Sequence, residues 1–166
     1  MKTYLVTGAA GFIGANYLKY ILKKYEGKED IKVIVVDALT YAGNLGTIRE
    51  ELKNKKVKFE KVDIRDRKEV ERIFSENDVD YVVNFAAESH VDRSIENPQI
   101  FLETNILGTQ NLLENAKKAW TVSKGENGYP VYRDGVKYLQ VSTDEVYGSL
   151  SKDYEKAIEL VIEDEK

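Results

Sequence analysis

The sequence predicts a doubly wound α/β fold, in which helices cover both faces of a parallel sheet. Short apolar segments alternate along the chain with segments whose apolar residues recur at helical spacing. Most of the predicted strands are apolar along nearly their whole length, which is typical of parallel strands buried on both faces. The length of 166 residues suits one domain with a core of ordinary size.

Five segments predict strands, because each is short, rich in β-branched or aromatic residues, and followed by turn-forming residues. They span residues 3–8, 32–37, 57–63, 80–87 and 137–142.

Four helices are predicted between these strands, over residues 12–25, 45–54, 67–77 and 98–120. Asp66 is a candidate cap for the third helix, and Pro98 suits the first turn of the fourth. We expect the fourth helix to place four apolar residues on one face: Ile106, Leu113, Ala116 and Trp120.

The segment between the fourth helix and the fifth strand is rich in turn-forming residues and is interpreted as a surface insertion. Its Asp134-Gly135 pair predicts a hairpin in which residues 129–132 pair with residues 136–141.

The end of the chain, residues 151–166, has the pattern of a charged amphipathic helix. We therefore expect a main domain over residues 1–150 followed by this tail.

Composition excludes several classes of site. The net charge is −4 and no basic cluster stands out, so no nucleic-acid partner is expected. Without cysteine, and with His90 as the single histidine, the chain predicts neither disulfides nor a metal site. The sequence also lacks an apolar segment long enough for a membrane span and begins without a signal-peptide pattern. We therefore expect a cytoplasmic protein without a membrane partner.

A glycine-rich loop links the first strand to the first helix, with Gly8, Gly11 and Gly14 in "VTGAAGFIG". A diphosphate must approach the backbone closely at such a turn, where side chains would block it, and the helix N-terminus offers free N–H groups. Glycine triplets alone are weak signals, but this one lies between a strand and a helix, as dinucleotide binding requires. The loop therefore predicts a Rossmann-like fold that binds NAD.

Asp37 ends the second predicted strand, where dinucleotide-binding folds place an acidic residue about 20 positions beyond the glycines. A carboxylate there would accept hydrogen bonds from the adenosine ribose and repel a 2′-phosphate, which favours NAD over NADP. An aspartate that only begins a turn is the alternative.

Six sequence blocks occur in order along residues 1–148: "TGAAGFIG", "VVDALTYAGN", "VDIRD", "NFAAESHVDRSI", "FLETNILGT" and "VSTDEVYG". Together they resemble the extended short-chain dehydrogenase/reductase family, and within it the dehydratases of nucleotide-activated sugars. The resemblance implies NAD as cofactor and a nucleotide sugar, dTDP-glucose, as substrate, in deoxysugar (rhamnose-type) biosynthesis. Members of the family commonly form homodimers.

The resemblance also implies which residues contact the cofactor. The glycine loop with Phe12 and Ile13 would lie against the diphosphate, Asp37 to Thr40 around the adenosine ribose, and Asp63 with Ile64 at the adenine. Phe85 to Ser89 would line the nicotinamide side. The full set is Gly8, Gly11, Phe12, Ile13, Gly14, Asp37, Ala38, Leu39, Thr40, Asp63, Ile64, Phe85, Ala86, Ala87, Glu88, Ser89 and Thr104.

In the implied reaction, NAD oxidises C4 of the sugar, water is eliminated across C5 and C6, and the hydride returns to C6. Elimination needs a carboxylate to remove the C5 proton and a carboxylic acid to protonate the leaving hydroxyl. By analogy with the family, Asp144 is the acid and Glu145 the base, while Thr143 bonds the C4 oxygen. Ser89 and Thr143 would contact the substrate. Two solvated acids in a turn are the alternative, but ligands bind at this end of strands in open α/β sheets.

The family also uses a Tyr-x-x-x-Lys pair after the "VSTDEVYG" block, and no such pair follows Gly148. Tyr20 and Lys24 have the spacing but lie on the helix after the glycine loop, so we interpret that match as chance. We expect a sheet incomplete on its C-terminal side, a chain that ends before the substrate domain, and a fragment inactive alone. His90 is interpreted as structural, and Asp92 and Arg93 are left outside the site.

Two alternatives remain open. A related epimerase or decarboxylase of nucleotide sugars is one, although such relatives generally carry small or hydroxylic residues at the Asp144-Glu145 positions. A non-catalytic NAD-binding module is the other. The missing Tyr-x-x-x-Lys pair favours such a module, whereas the acid/base pair argues against it.

Overall fold

The computed structural model describes residues 1–28, 30–143 and 146. Its strands are β1 (Lys2–Thr7), β2 (Ile31–Val36), β3 (Val57–Glu60), β4 (Tyr81–Asn84), β5 (Thr121–Lys124), β6 (Pro130–Tyr132) and β7 (Lys137–Gln140). Five of them form one sheet in the order β3-β2-β1-β4-β7. Every neighbouring pair in that sheet is parallel, so the predicted parallel sheet is confirmed.

Helices cover both faces of this sheet. The α-helices are α1 (Phe12–Lys24), α2 (Arg67–Glu76), α3 (Val91–Glu96), α4 (Pro98–Phe101) and α5 (Thr109–Trp120), of which α1, α2 and α5 contribute residues to the core. On one face, α1 packs through Leu18 and Ile21 on strand residues such as Val6. On the other, α2 and α5 pack on residues such as Leu5. Because successive strand residues point to opposite faces, Leu5 and Val6 belong to separate core clusters, and the doubly wound arrangement is confirmed.

The predicted helix over residues 98–120 is continuous but not uniform. Pro98 begins it as predicted, and a π-helical segment, Leu102–Gly108, joins α4 to α5. Ala116 and Trp120 are buried as expected, and the Trp120 indole N–H donates to the Val79 carbonyl at 2.7 Å. The other two predicted core residues are exposed, Ile106 at 58% and Leu113 at 45%. Leu112 is buried instead, because the four-residue spacing of Leu112, Ala116 and Trp120 sets the side of α5 that faces the sheet.

One helix prediction was wrong, and one helix was not predicted. Residues 45–54 form two 3₁₀ turns, Leu45–Ile48 and Glu51–Lys53, in place of one α-helix. Only Ile48 in these turns is buried, so the segment has no apolar stripe to hold a longer helix against the core. The sequence also gave no indication of α3, whose side chains are mostly exposed.

The predicted hairpin paired the wrong strands. β6 pairs antiparallel with β5, whereas β7 joins the main sheet beside β4. The Asp134-Gly135 pair still turns the chain, with Gly135 at φ 73°, but it leads from β6 into the parallel sheet. The Arg133 side chain anchors the turn by donating to the Asp80 carboxylate at 3.0 Å and to the Val79 carbonyl at 2.6 Å.

Strands β3 and β4 are shorter than predicted, because the chain leaves the sheet after Glu60 and after Asn84. The segments beyond them run over the carboxyl edge of the sheet. The predicted tail helix, residues 151–166, lies outside the described residues.

Asp66 caps α2 as predicted, since its side chain accepts from the backbone N–H groups of Lys68 and Glu69. We expect Asp66→Ala to lower the free energy of unfolding by about 1 kcal/mol, because two N–H groups at the helix start lose their acceptor. Urea denaturation measures this loss. Asp66→Asn keeps an acceptor oxygen and serves as the control. Equal losses in the two variants would contradict the capping role.

Candidate functional site

A cleft lies at the carboxyl edge of the sheet, where the segments after β1, β2, β3 and β4 converge. Of the predicted cofactor residues, twelve line it: Gly8, Gly11, Asp37, Ala38, Thr40, Asp63, Ile64, Phe85, Ala86, Ala87, Glu88 and Thr104. Phe12, Ile13, Gly14, Leu39 and Ser89 do not line it. Sequence reasoning missed five lining residues: Val36, Ala42, Gly43, Val62 and Arg65.

The glycine loop brings bare backbone to the floor of the cleft. Gly8 has φ 65°, and a Cβ there would lie 2.6 Å from the Ala86 nitrogen. Gly14 lies behind the loop, where a Cβ would be 2.3 Å from the Gly8 oxygen. Gly8 therefore allows the first strand's loop to touch the segment after β4, and Gly14 allows α1 to pack against that loop.

Helix α1 begins beside this loop. Gly11 occupies its N-cap without a side-chain hydrogen bond, and the first N–H within the helix to find a partner is that of Ala15, to the Gly11 oxygen. The N–H groups at positions 12–14 therefore have no partner within the helix and carry its positive dipole end. The Phe12 and Ile13 side chains are exposed, at 83% and 61%, so these residues offer an anion their backbone and not their side chains.

Asp37 is buried at the end of β2 and joins two loops. One carboxylate oxygen accepts from the Ala10 N–H at 2.9 Å, and the other accepts from the Leu39 N–H at 2.8 Å. Leu39 has φ 55°, a left-handed conformation that turns the chain back over the cleft. The carboxylate therefore has a structural role, and each oxygen still has a second lone pair for a ligand hydroxyl.

The loop after β2 is also held from the other direction. The Asn44 N–H donates to the Ala10 carbonyl at 3.0 Å, so Ala10 bonds this loop through both of its backbone groups. Gly43 lies against the carboxylate, because a Cβ there would be 2.6 Å from Asp37 Oδ1. This glycine is the signal in "YAGN" that could have predicted a close approach.

In the segment after β3, which neighbours β2 in the sheet, Asp63 is paired with Arg65. The Asp63 carboxylate accepts from the Arg65 backbone N–H at 2.9 Å and from its Nη2 at 2.7 Å. Burial alone would raise the pKa of Asp63, but the hydrogen bonds and charge of Arg65 outweigh it and hold that pKa below its usual range. Arg65 Nη1 also donates to Glu103 at 3.0 Å, which ties the segment after β3 to the π-helical segment.

The segment after β4 carries a buried acid, Glu88, against the cleft. Asn105 holds its backbone in place, because the Asn105 amide oxygen accepts from the Glu88 N–H at 2.8 Å and its Nδ2 donates to the Glu88 carbonyl at 2.9 Å. Among the residues that the structure describes, no donor reaches Glu88 Oε2 within hydrogen-bond distance. Its nearest cation is Arg93, with Nε at 3.9 Å. Ser89, next along the chain, is exposed.

A buried polar network fixes the last strand beside this edge. The Asn84 amide donates to the Gln140 side chain at 2.8 Å, and the Thr7 hydroxyl donates to the Asn84 side-chain oxygen. The network therefore links the carboxyl ends of β1, β4 and β7. Thr143 follows β7 and is exposed, whereas Asp144 and Glu145 lie outside the described residues.

Tyr20 and Lys24 lie on the exposed side of α1, with Lys24 Nζ 5.7 Å from the centre of the Tyr20 ring. Neither residue lines the cleft, in keeping with the interpretation of their spacing as chance.

Within residues 1–28, 30–143 and 146, no group of three or more histidine or acidic side chains is placed to hold a metal ion. The helices in those ranges are all too short or too polar to cross a membrane.

Comparison with known proteins gives a consistent set of matches. The family model described as GDP-mannose 4,6 dehydratase matches residues 5–159. A dTDP-glucose 4,6-dehydratase of Xanthomonas campestris pv. campestris (strain B100) is 46% identical over 152 residues, which is 92% of this chain and 40% of that protein. The chain thus spans about 40% of the length of this curated relative.

Solved structures match in the same way. A dTDP-glucose 4,6-dehydratase from Bacillus anthracis in complex with NAD is 41% identical, with a TM-score of 0.71 over 92% of this chain and 41% of that one. A UDP-glucose 4-epimerase from Bifidobacterium longum, in complex with NAD+ and UDP, is 32% identical, with a TM-score of 0.68 over 89% of this chain and 38% of that one.

The close contact at Gly8 yields a test with an internal control. Gly27 has nearly the same backbone angle, φ 67°, but a Cβ there would meet nothing within 4 Å. We expect Gly27→Ala to cost only the left-handed strain, about 1 kcal/mol of unfolding free energy. Gly8→Ala adds a clash with the backbone at Ala86, so we expect a loss of at least about 3 kcal/mol or failure to fold. Chemical denaturation of both variants measures the difference, and equal losses would show that the Gly8 contact is unimportant.

Proposed function

The chain belongs to the GDP-mannose 4,6-dehydratase family, and on that premise we propose that it is the NAD-binding part of a nucleotide-sugar 4,6-dehydratase. The membership confirms the resemblance predicted from the sequence motifs. The proposed reaction converts dTDP-glucose to dTDP-4-keto-6-deoxyglucose, the substrate and chemistry that the names of the most similar relatives indicate.

The observation that carries the proposal is the pairing of the glycine loop with Asp37. The loop presents backbone where a Cβ would clash, next to a helix N-terminus with unpartnered N–H groups. A diphosphate needs both features. A buried carboxylate stands beside that loop, joined to it through the Ala10 N–H, where an adenosine ribose would lie in this fold. The residues present therefore fit NAD.

The other contacts follow along the cleft. We assign the ribose to Asp37 and the loop through Thr40, the adenine to Asp63 and Ile64, and the nicotinamide side to Phe85 through Ser89, with Thr104 alongside. Arg65 already donates hydrogen bonds to the Asp63 carboxylate. The carboxylate would therefore accept from the adenine amino group with its remaining lone pairs. We further propose that residues 1–150 form the NAD-binding domain.

Bound NAD would take a hydride from C4 of the sugar and return it to C6. The chain's own part is to move protons. Thr143 would hold the C4 oxygen, Glu145 would remove the C5 proton, and Asp144 would protonate the departing C6 hydroxyl. Such work needs two carboxyl groups with different protonation states. Ser89 would bind the sugar nucleotide from the opposite segment.

A nucleotide-sugar epimerase is the second candidate, favoured by the match to the UDP-glucose 4-epimerase structure. The Asp144-Glu145 pair supports the dehydratase, because epimerisation at C4 eliminates no water and needs no such acid and base. A non-catalytic NAD-binding module remains the third.

We further propose a cytoplasmic homodimer. Whether the 166 residues turn over substrate alone stays a prediction, and we expect that they do not.

The cofactor assignment gives a direct test. We expect this chain to bind NAD more tightly than NADP, because the Asp37 carboxylate would repel a 2′-phosphate. Asp37→Asn should reduce the ratio of the two dissociation constants by about tenfold, which corresponds to about 1.4 kcal/mol. Isothermal titration with each dinucleotide measures both constants. Asp63→Asn, at the adenine end, is the matched control and should change both constants equally. Binding of NADP as tightly as NAD by the unaltered chain would refute the role of Asp37.

The predicted inactivity of these 166 residues is tested by mixing this chain with NAD and dTDP-glucose and following the products by mass spectrometry. We expect no turnover, since no Tyr-x-x-x-Lys pair follows Gly148 to accept the C4 hydroxyl proton. A 4-keto-6-deoxy product would contradict the predicted inactivity while supporting the dehydratase assignment. A C4 epimer would support the epimerase and overturn the dehydratase.

A further inference from the structure

We infer that Tyr41 and Arg93 form a clasp across the mouth of the cleft and thereby set how slowly a bound dinucleotide leaves. This inference rests on the proposed function, because the ligand it retains is the proposed cofactor. The two residues belong to different walls of the cleft. Tyr41 lies in the loop after β2, and Arg93 lies on α3, which follows the segment after β4.

The contact between them is close, and it joins two planar groups, the Tyr41 ring and the Arg93 guanidinium. The Arg93 guanidinium carbon lies 4.2 Å from the centre of the Tyr41 ring, well within the range of a cation–π interaction. The His90 ring meets the same tyrosine edge-on, with ring centres 6.3 Å apart. Tyr41 is therefore held by two residues of the opposite wall.

Tyr41 lies beside the cleft. Its neighbours Thr40 and Ala42 both line the cavity, whereas the Tyr41 ring lies outside the lining, against α3. On the other wall, Glu88 lines the cavity. Separation of the loop after β2 from α3 would widen the cleft between these walls, and it would break the contact.

The Glu88 carboxylate also attracts Arg93 and so helps to hold it in place. Its side chain is only 5% exposed, and a buried carboxylate without a partner is costly. Arg93 Nε lies 3.9 Å from Glu88 Oε2, close enough for attraction but too far for a hydrogen bond. The guanidinium thus bridges a buried negative charge inside the cleft and an aromatic ring outside it. A small inward shift of Arg93 would complete the hydrogen bond while the cleft is closed.

The experiment measures NAD dissociation by stopped-flow displacement from this chain. Tyr41→Leu and Arg93→Gln should each speed dissociation by about three- to tenfold and leave the association rate within about twofold, as expected for loss of one cation–π contact. Tyr41→Phe keeps the ring and should restore slow dissociation. Tyr20→Leu removes a similar cation–ring contact, with Lys24, on the outer side of α1 and should change neither rate.

A second readout does not need the cofactor. In the free chain, amide hydrogen exchange should rise in both residues 38–43 and residues 88–93 for either Tyr41→Leu or Arg93→Gln, although each substitution lies in only one segment. Faster exchange confined to the segment that carries the substitution would overturn the clasp, as would unchanged dissociation in a chain that binds NAD. A chain that fails to bind NAD would sink the proposed function, and the exchange pattern would still decide the clasp.

Discussion

The hydrogen bond from the Ala10 N–H to the Asp37 carboxylate is the contact on which the cleft depends. Ala10 is almost completely buried, so without this acceptor its N–H would be left unpaired inside the protein. The same carboxylate fixes Leu39 in its left-handed conformation, and Ala10 in turn accepts from Asn44. The Asp37 side chain therefore fixes the position of both the glycine loop and the loop after β2. The carboxylate that is proposed to bind the ribose also holds these two loops in place.

The second constraint lies in the polar side chains at the carboxyl ends of the strands. Asn84 is fully buried, yet its amide is satisfied by groups from three neighbouring elements: Thr7, Gln140 and Thr109. A parallel strand that slipped by one residue would leave these atoms without partners, so the network specifies the register of β7 beside β4. Register in turn determines where the chain leaves the sheet after Gln140. A buried asparagine thus fixes the end of the strand that precedes Thr143.

What could be predicted from sequence was what local patterns encode. Apolar runs located the five strands of the sheet, and the spacing of Gly8, Gly11 and Gly14 located the cleft. The failures involve choices between distant partners. β7 could pair with its neighbour in sequence or with β4, and it pairs with β4 from Lys137 to Gln140. Asn105 was missed because its partner, Glu88, is distant in sequence. Nothing in the periodicity of "LETNILG" indicates a π-helical segment.

The π-helical segment limits which deletions this helix can accept. Along an ordinary α-helix, residues four apart drift steadily around the axis, whereas a π turn advances by a smaller angle for each residue. The segment therefore compensates part of the drift, so that Thr104 can face the cleft while Leu112 and Trp120, farther along, still face the core. The π turn rotates the part of the helix that faces the cleft relative to the part that faces the core. Shortening this stretch by one residue would keep the helix but misalign its two ends, so a deletion here is a more disruptive change than many substitutions.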